Sequence, residues 1–273
     1  MYKPNEKLRN IQLCSLHIMK QLHEFMITNN IQYSICGGTA IGAIVHRGFI
    51  PWDDDIDICM DRNNYNKFIS LFNESDRYVL DNYLTNPNTR ILISKVLDTH
   101  TQIKFETQYG EVLQSSIFVD VSVFDRIETN KFKRAIQLFL ADIALITINK
   151  YPPKNNGSLF TIVGTMYLKL LPKKCILPLC RYLEKKIAKY SKSTQLPLSE
   201  MLLNRNGKII FPPYLFEKLI LVDFEDTQFY IFKEYNEYLT IKYTENYVKI
   251  PDVAIQHPHH NFKEVIIDGK KYE

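Results

Sequence analysis

The apolar positions of residues 5–29 recur at helical spacing: Leu8, Ile11, Leu16, Ile18, Met19, Leu22, Phe25 and Met26. That period predicts an amphipathic helix ending near Asn29-Asn30. Tyr33 to Cys36 reads as a short strand stopped by Gly37-Gly38. Thr39 to His46 then reads as a helical turn or two, with the Thr39 hydroxyl suited to an N-cap. Phe49 to Met60 reads as a second strand entered through Pro51, followed by a helix from Asn63 to Phe72. Residues 91–106 and 112–124 carry β-branched and aromatic residues in strand-like runs. Lys131 to Lys192 is rich in Leu and Ile and predicts two or three helices, broken at Pro152-Pro153, Pro172 and Pro178. Residues 211–250 return to a hairpin pattern around Glu225-Asp226, and a tyrosine-rich helix is expected from about Glu234 to Tyr247. No internal repeat is visible.

Composition narrows the class. The 273 residues are 45% hydrophobic and 23% charged, enough for an ordinary buried core. The formal net charge is only +4, too mild to suggest a nucleic-acid coat protein, and no nucleic-acid partner is expected. The charge is uneven. Residues 131–192 hold thirteen basic residues against only Asp142 and Glu184, a local +11, so the rest of the chain is net acidic. Such a segment suits anionic lipid headgroups or a polyanionic glycan, or else is a helical subdomain with solvated lysines. The five cysteines are odd in number and form no C-x-x-C pair, which argues against a disulfide framework and for a reducing cytoplasm. The opening MYKPNEKLRN has no apolar segment after its charges, so a secretory leader is not expected. Nor does any uncharged apolar stretch reach spanning length.

The run FIPWDDDIDICM carries the most chemistry. On an extended chain successive side chains alternate, so Asp53, Asp55 and Asp57 share one face and Asp54, Ile56 and Ile58 the other. Carboxylates gathered this closely repel unless a cation sits among them, and Mg²⁺ prefers such hard oxygen ligands. The competing reading is a solvated acidic loop, which has no reason to keep the isoleucine alternation. Upstream, Gly37-Gly38-Thr39 lies between a strand and a helix, where bare backbone and a helix N-terminus can receive a phosphate. In SIFVDVSVF, Asp120 stands alone among apolar residues and needs a partner. It is either a structural Asp hydrogen-bonded to backbone or a metal ligand or general base, and the acidic strand favours the latter. Asp125 is expected to cap a turn.

GGTAIGAIVHRGFIPWDDDIDICMDRNNYNKF closely resembles the opening motif of the LicD family, the fukutin-like branch of the nucleotidyltransferase fold. SSIFVDVSVFD resembles the family's second acidic strand. VDFEDTQFYIF with EYNEYLTIKYTENYVKIP is similar to its C-terminal hairpin and tyrosine-rich helix, and IQHPHHNF to its terminal histidine motif. The chain departs from the family pattern at Val45, at Asp226 and in the YTENY ending of the helix. The resemblance implies an α+β fold: a nucleotidyltransferase-like mixed β-sheet core with flanking helices and a basic helical insertion. The division it suggests is a catalytic core at 1–130, a basic helical subdomain at 131–210 facing membrane or acceptor, and a C-terminal hairpin and helix at 211–273 completing the core. It implies a two-metal site, Mg²⁺ with Mn²⁺ as substitute. The chemistry it implies is transfer of a phosphorylated headgroup, phosphocholine or a polyol phosphate, from a CDP-activated donor to a cell-surface glycan or lipid-linked saccharide. By the same resemblance Gly37, Gly38 and Thr39 fall on the phosphate turn, and Asp55, Asp57 and Asp120 on the metal carboxylates.

Four further residues are candidates for substrate contact. Arg47 is a candidate phosphate clamp or a helix-end surface residue. Lys95 is expected to reach donor phosphate or to edge a sheet. Trp52 can stack on a base or choline headgroup or simply pack. Among the terminal histidines, His259 or His260 is expected to touch the site, or the tail is solvated. The enzyme is expected in the cytoplasm, peripheral at the inner membrane face. Two rival readings remain: a nucleotidyltransferase moving NMP onto a small molecule, protein or RNA, and an inactive glycan-binding relative.

Overall fold

The computed structural model describes residues 2–84, 86, 88–89, 91–106, 110, 112–150, 158–202 and 209–272. The expected break at Pro152-Pro153 lies outside them. Helix α1 (Glu6–Thr28) starts where the Asn5 side chain accepts the Leu8 N–H at 2.8 Å. The next elements are β1 (Ser34–Ile35), α2 (Gly37–His46), β2 (Asp57–Asp61), α3 (Arg62–Leu71), β3 (Tyr78–Asp81), β4 (Ser94–Glu106) and β5 (Val112–Arg126). Helices α4 (Lys131–Asn149), α5 (Ser158–Leu170) and α6 (Ile176–Ile187) form the basic segment. Then come β6 (Leu198–Ser199), the hairpin β7 (Leu219–Phe224) and β8 (Thr227–Phe232), α7 (Tyr235–Tyr243), and a terminal hairpin β9 (Asn261–Ile267) and β10 (Lys270–Tyr272).

Among the described residues the main sheet runs β1-β2-β5-β4-β9-β10, with β3 on β4 and β6 on β5. Only β2 and β5 pair in parallel, which makes the sheet mixed. Helix α1 lies against β4 and β5, while α4 packs on α6. One buried cluster runs from Ile11 and Met19 through Ile58 and Val121 to Ala144, Leu183 and Ile187, so the basic helices share the sheet's core. No helix among the described residues is long and apolar enough to cross a membrane.

Several expectations are corrected. The two glycines do not precede the helix: they are its first turn, and Cys36 rather than Thr39 is the N-cap. The second strand is much shorter than Phe49–Met60, because residues up to Ile56 have no strand partner. Pro178 does not break a helix, since it sits in the first turn of α6, where an N–H is unused anyway. The hairpin β7–β8 forms a sheet of its own, and β9 is the C-terminal strand that joins the main sheet. Asp125 does not cap a turn. It is fully buried and held in a bidentate pair by Arg62, with Nε–Oδ1 at 2.8 Å and Nη2–Oδ2 at 2.6 Å.

Candidate active site

Strand register assembles the centre. Asp57 pairs with Asp120 across β2 and β5, and Asp120 pairs with Lys95 across β5 and β4. Residues directly opposite on neighbouring strands project to one face, so pairing alone lines up two carboxylates and an ammonium. Lys95 Nζ lies 2.9 Å from Asp120 Oδ1 and 3.2 Å from the centre of the Phe118 ring. Among the described residues, buried Asp120 Oδ1 has no partner besides this ammonium.

The approach to β2 supplies the other carboxylates. Burial alternates along it: Asp54, Ile56 and Ile58 are buried, while Asp53, Asp55 and Asp57 are half-buried on the other side. The expected two-faced pattern therefore holds, in extended chain rather than in paired strand. Asp54 turns away to the C-terminal segment. Its Oδ2 accepts the His260 backbone N–H at 2.8 Å, and its Oδ1 lies 3.2 Å from His260 Nδ1. Asp54, Asp55 and His260 bring ligand-type atoms within 4.8 Å of one another.

Helix α2 faces this cluster with its N-terminus. Gly37 holds φ +58°, and a Cβ there would lie 2.6 Å from Asp57 Oδ2; a Cβ on Gly38 would lie 2.6 Å from Asp53 Oδ2. Bare backbone is what lets the helix end approach the carboxylates. The Gly37 N–H donates to the buried Tyr238 hydroxyl at 3.0 Å, and the Asp57 N–H donates to Thr39 Oγ1 at 2.8 Å. The amides of Gly38 and Thr39, in the first turn, have no intrahelical acceptor and point a partial positive charge outward.

Electrostatics follow from burial and from the crowding of the carboxylates. Burial first, then the charges of Asp54 and Asp120, push the Asp55 carboxyl up to about 6, with His260 and Lys95 pulling the other way. Burial and then Asp55 hold both Asp53 and Asp57 well above the ordinary carboxylate range. Burial opposes charge on His260, but the hydrogen bond and charge of Asp54 outweigh it and raise the imidazole. Carboxylates this crowded beside a glycine-lined opening, with Lys95 engaged by Asp120, fit a hard divalent cation beside a phosphate.

The other candidates fall at different distances from the centre. Arg47 caps α2 with φ +55°; its side chain is exposed and pairs with no carboxylate among the described residues. Trp52 is half-buried, edge-on to Tyr2 at 6.1 Å and to His46 at 6.3 Å. His259 is exposed and only stacks edgewise on His260, which is the histidine at the acidic segment. His260 also walls a cavity of about 320 Å³ with Asn5, Lys7, Leu8 and His257. Sequence reasoning missed the Asp54–His260 pair and Tyr238. The first had a signal in the terminal histidine motif, the second none beyond a tyrosine-rich helix.

Residues 30–139 match the family model for the LicD/FKTN/FKRP nucleotidyltransferase domain. Over 93% of its length the chain is 29% identical to the lipopolysaccharide cholinephosphotransferase LicD of Haemophilus influenzae, covering 96% of that protein. A stretch of 41 residues is 54% identical to uncharacterized proteins of Rickettsia prowazekii and Rickettsia typhi, covering 15% of this chain and 15% and 13% of theirs. Motif, sheet and full-length likeness agree: residues 30–139 match the LicD-type nucleotidyltransferase domain, and the chain resembles a LicD phosphotransferase over nearly its whole length.

Proposed function

We propose that the protein transfers a phosphorylated headgroup, phosphocholine or a polyol phosphate, from a CDP-activated donor to a hydroxyl of a cell-surface glycan. The observation that carries this reading is the Asp57–Asp120–Lys95 row facing the glycine-opened N-terminus of α2. The name of the Haemophilus relative supports phosphocholine as headgroup. In this reading Asp55, Asp57 and Asp120 hold Mg²⁺ or Mn²⁺. A metal held there would supply positive charge to the donor pyrophosphate and acidify the acceptor hydroxyl. The Gly38 and Thr39 amides receive a phosphate oxygen. Asp120 takes the acceptor proton, while Lys95 balances the charge of the carboxylate row. His260 keeps Asp54 turned away from the centre. Arg47 and Trp52 receive no step, since one is exposed and the other packs between Tyr2 and His46. Residues 1–130 and 211–273 form the catalytic core, and 131–210 face the membrane or the acceptor. A CDP-activated donor places the reaction in the cytoplasm.

The test is incubation with CDP-choline, CDP-ribitol or CDP-glycerol, Mg²⁺ and glycan acceptor. Attack on the headgroup phosphorus releases CMP. Attack on the other phosphorus releases the phosphorylated headgroup and leaves CMP on the product, which mass spectrometry distinguishes. Asp57→Ala should abolish CMP release with an unchanged circular dichroism spectrum, and retained turnover would remove the metal assignment.

A further inference from the structure

The exposed face of the basic segment is apolar as well as charged. On α4, Phe132, Ile136 and Phe139 are spaced four and three apart, with Phe132 74% exposed. They form a stripe opposite the face that buries Ala141, Ala144, Leu145 and Ile148. On α5, Ile162, Met166 and Leu170 repeat the pattern, with Leu170 78% exposed. The two helices meet where Thr147 Oγ1 lies 2.7 Å from the Tyr167 hydroxyl. A groove of about 380 Å³ adjoins the α4 stripe, floored by Ile136 and Leu140 and rimmed by Lys133, Lys186 and Lys189. Among the described residues Lys186 and Lys189 pair with no carboxylate; each lies 5.3 Å from a tyrosine ring, Tyr182 and Tyr190. Glu184, one of the two acids of the segment, is turned onto Arg62 and Tyr83.

We infer that this face docks on a bilayer surface containing anionic lipid, with the α4 and α5 stripes entering the headgroup boundary and a lipid phosphate held at the lysine-rimmed groove. Phenylalanine and leucine beside lysines are what an interfacial helix presents; of the three at the groove, Lys133 lies 3.9 Å from Glu128 Oε2. The local +11 of residues 131–192 complements a negative surface and repels a second copy of the same face. The inference is independent of which headgroup the enzyme transfers.

The experiment is sedimentation of the full chain with phosphatidylcholine vesicles, with and without phosphatidylglycerol, at low and high salt. Binding is expected to need the anionic lipid and to fall with salt. Lys186→Gln with Lys189→Gln should weaken partitioning about 25-fold, taking about a fivefold effect for each charge. Phe132→Ser with Phe139→Ser should weaken it at least about tenfold. Both double variants should keep the parent circular dichroism spectrum. The inference is overturned by equal binding to neutral vesicles, by no binding, or by unchanged partitioning of both variants. Light scattering showing a dimer that the phenylalanine variant dissolves would assign the face to a second copy. Salt-sensitive binding to a soluble anionic polysaccharide but not to vesicles would assign it to glycan.

Discussion

At the scale of single residues the site depends on what side chains leave out as much as on what they bring. Gly37 combines a left-handed φ with a carboxylate where its Cβ would sit. Gly37→Ala is expected to cost about 1–2 kcal/mol of stability, read by urea unfolding. By displacing Asp57 it should lower CMP release about 100-fold or more. A loss of stability with activity intact would mean that the glycine serves only the fold. The carboxylates set a pH dependence. The Asp55 carboxyl, at about 6 when folded against 3.8 ordinarily, binds its proton more tightly in the native state. Its protonation therefore favours folding below about 3.8, and that advantage is lost as pH rises through about 6. Above it the ionised cluster repels itself, and a cation should relieve the repulsion. Mg²⁺ is thus expected to raise the melting temperature more at about pH 8 than at about pH 5, and equal shifts would count against the carboxylate site. The strand positions of Asp57 and Asp120 were readable from local pattern, because an acid between two β-branched residues is conspicuous. The glycines' placement inside the helix was not, since φ is invisible in a residue list.

Elements hold these residues in place through a few buried polar joints. Arg62 opens α3, grips Asp125 at the end of β5, and reaches Glu184 on α6. Arg62→Ala leaves the Asp125 carboxylate buried without its partner, and chemical denaturation should show a loss of about 3–5 kcal/mol. A much smaller loss would mean that water or another cation replaces the guanidinium. The β7–β8 turn makes a second joint. Glu225 accepts Arg9 Nη2 at 2.6 Å and the Phe49 N–H at 3.3 Å, pinning the chain that leads from α2 into the acidic run. Most helices and strands were legible, because period and capping are local. The second strand was overextended for a definite reason. Alternating burial from Asp53 to Ile58 looks like strand in sequence, but strand also needs a hydrogen-bonding neighbour, and β5 reaches back only to Asp57 and β1 only to Ile58.

On the scale of the whole molecule the C-terminal segment closes the site. Strand β9 adds to β4 and carries His260 to Asp54, 206 residues earlier in the chain. His260→Ala removes the imidazole contact that helps position Asp54 and, through it, the neighbouring Asp55. It should weaken Mg²⁺ affinity about tenfold or more in calorimetric titration, with the circular dichroism spectrum unchanged. Unaltered affinity would make the contact purely structural. The residue list by itself determined the alternation of acids with isoleucines, the helix periods, the hairpin at Glu225 and the charge asymmetry, because each arises from neighbours along the chain. Tertiary structure alone decided that β2 runs parallel to β5 in the register that sets Asp57 beside Asp120. It also decided that Asp125 serves Arg62 rather than a turn, and that His260 rather than His259 meets the acidic run. Those outcomes depend on strand pairing and side-chain burial between distant segments, energies that no local pattern contains.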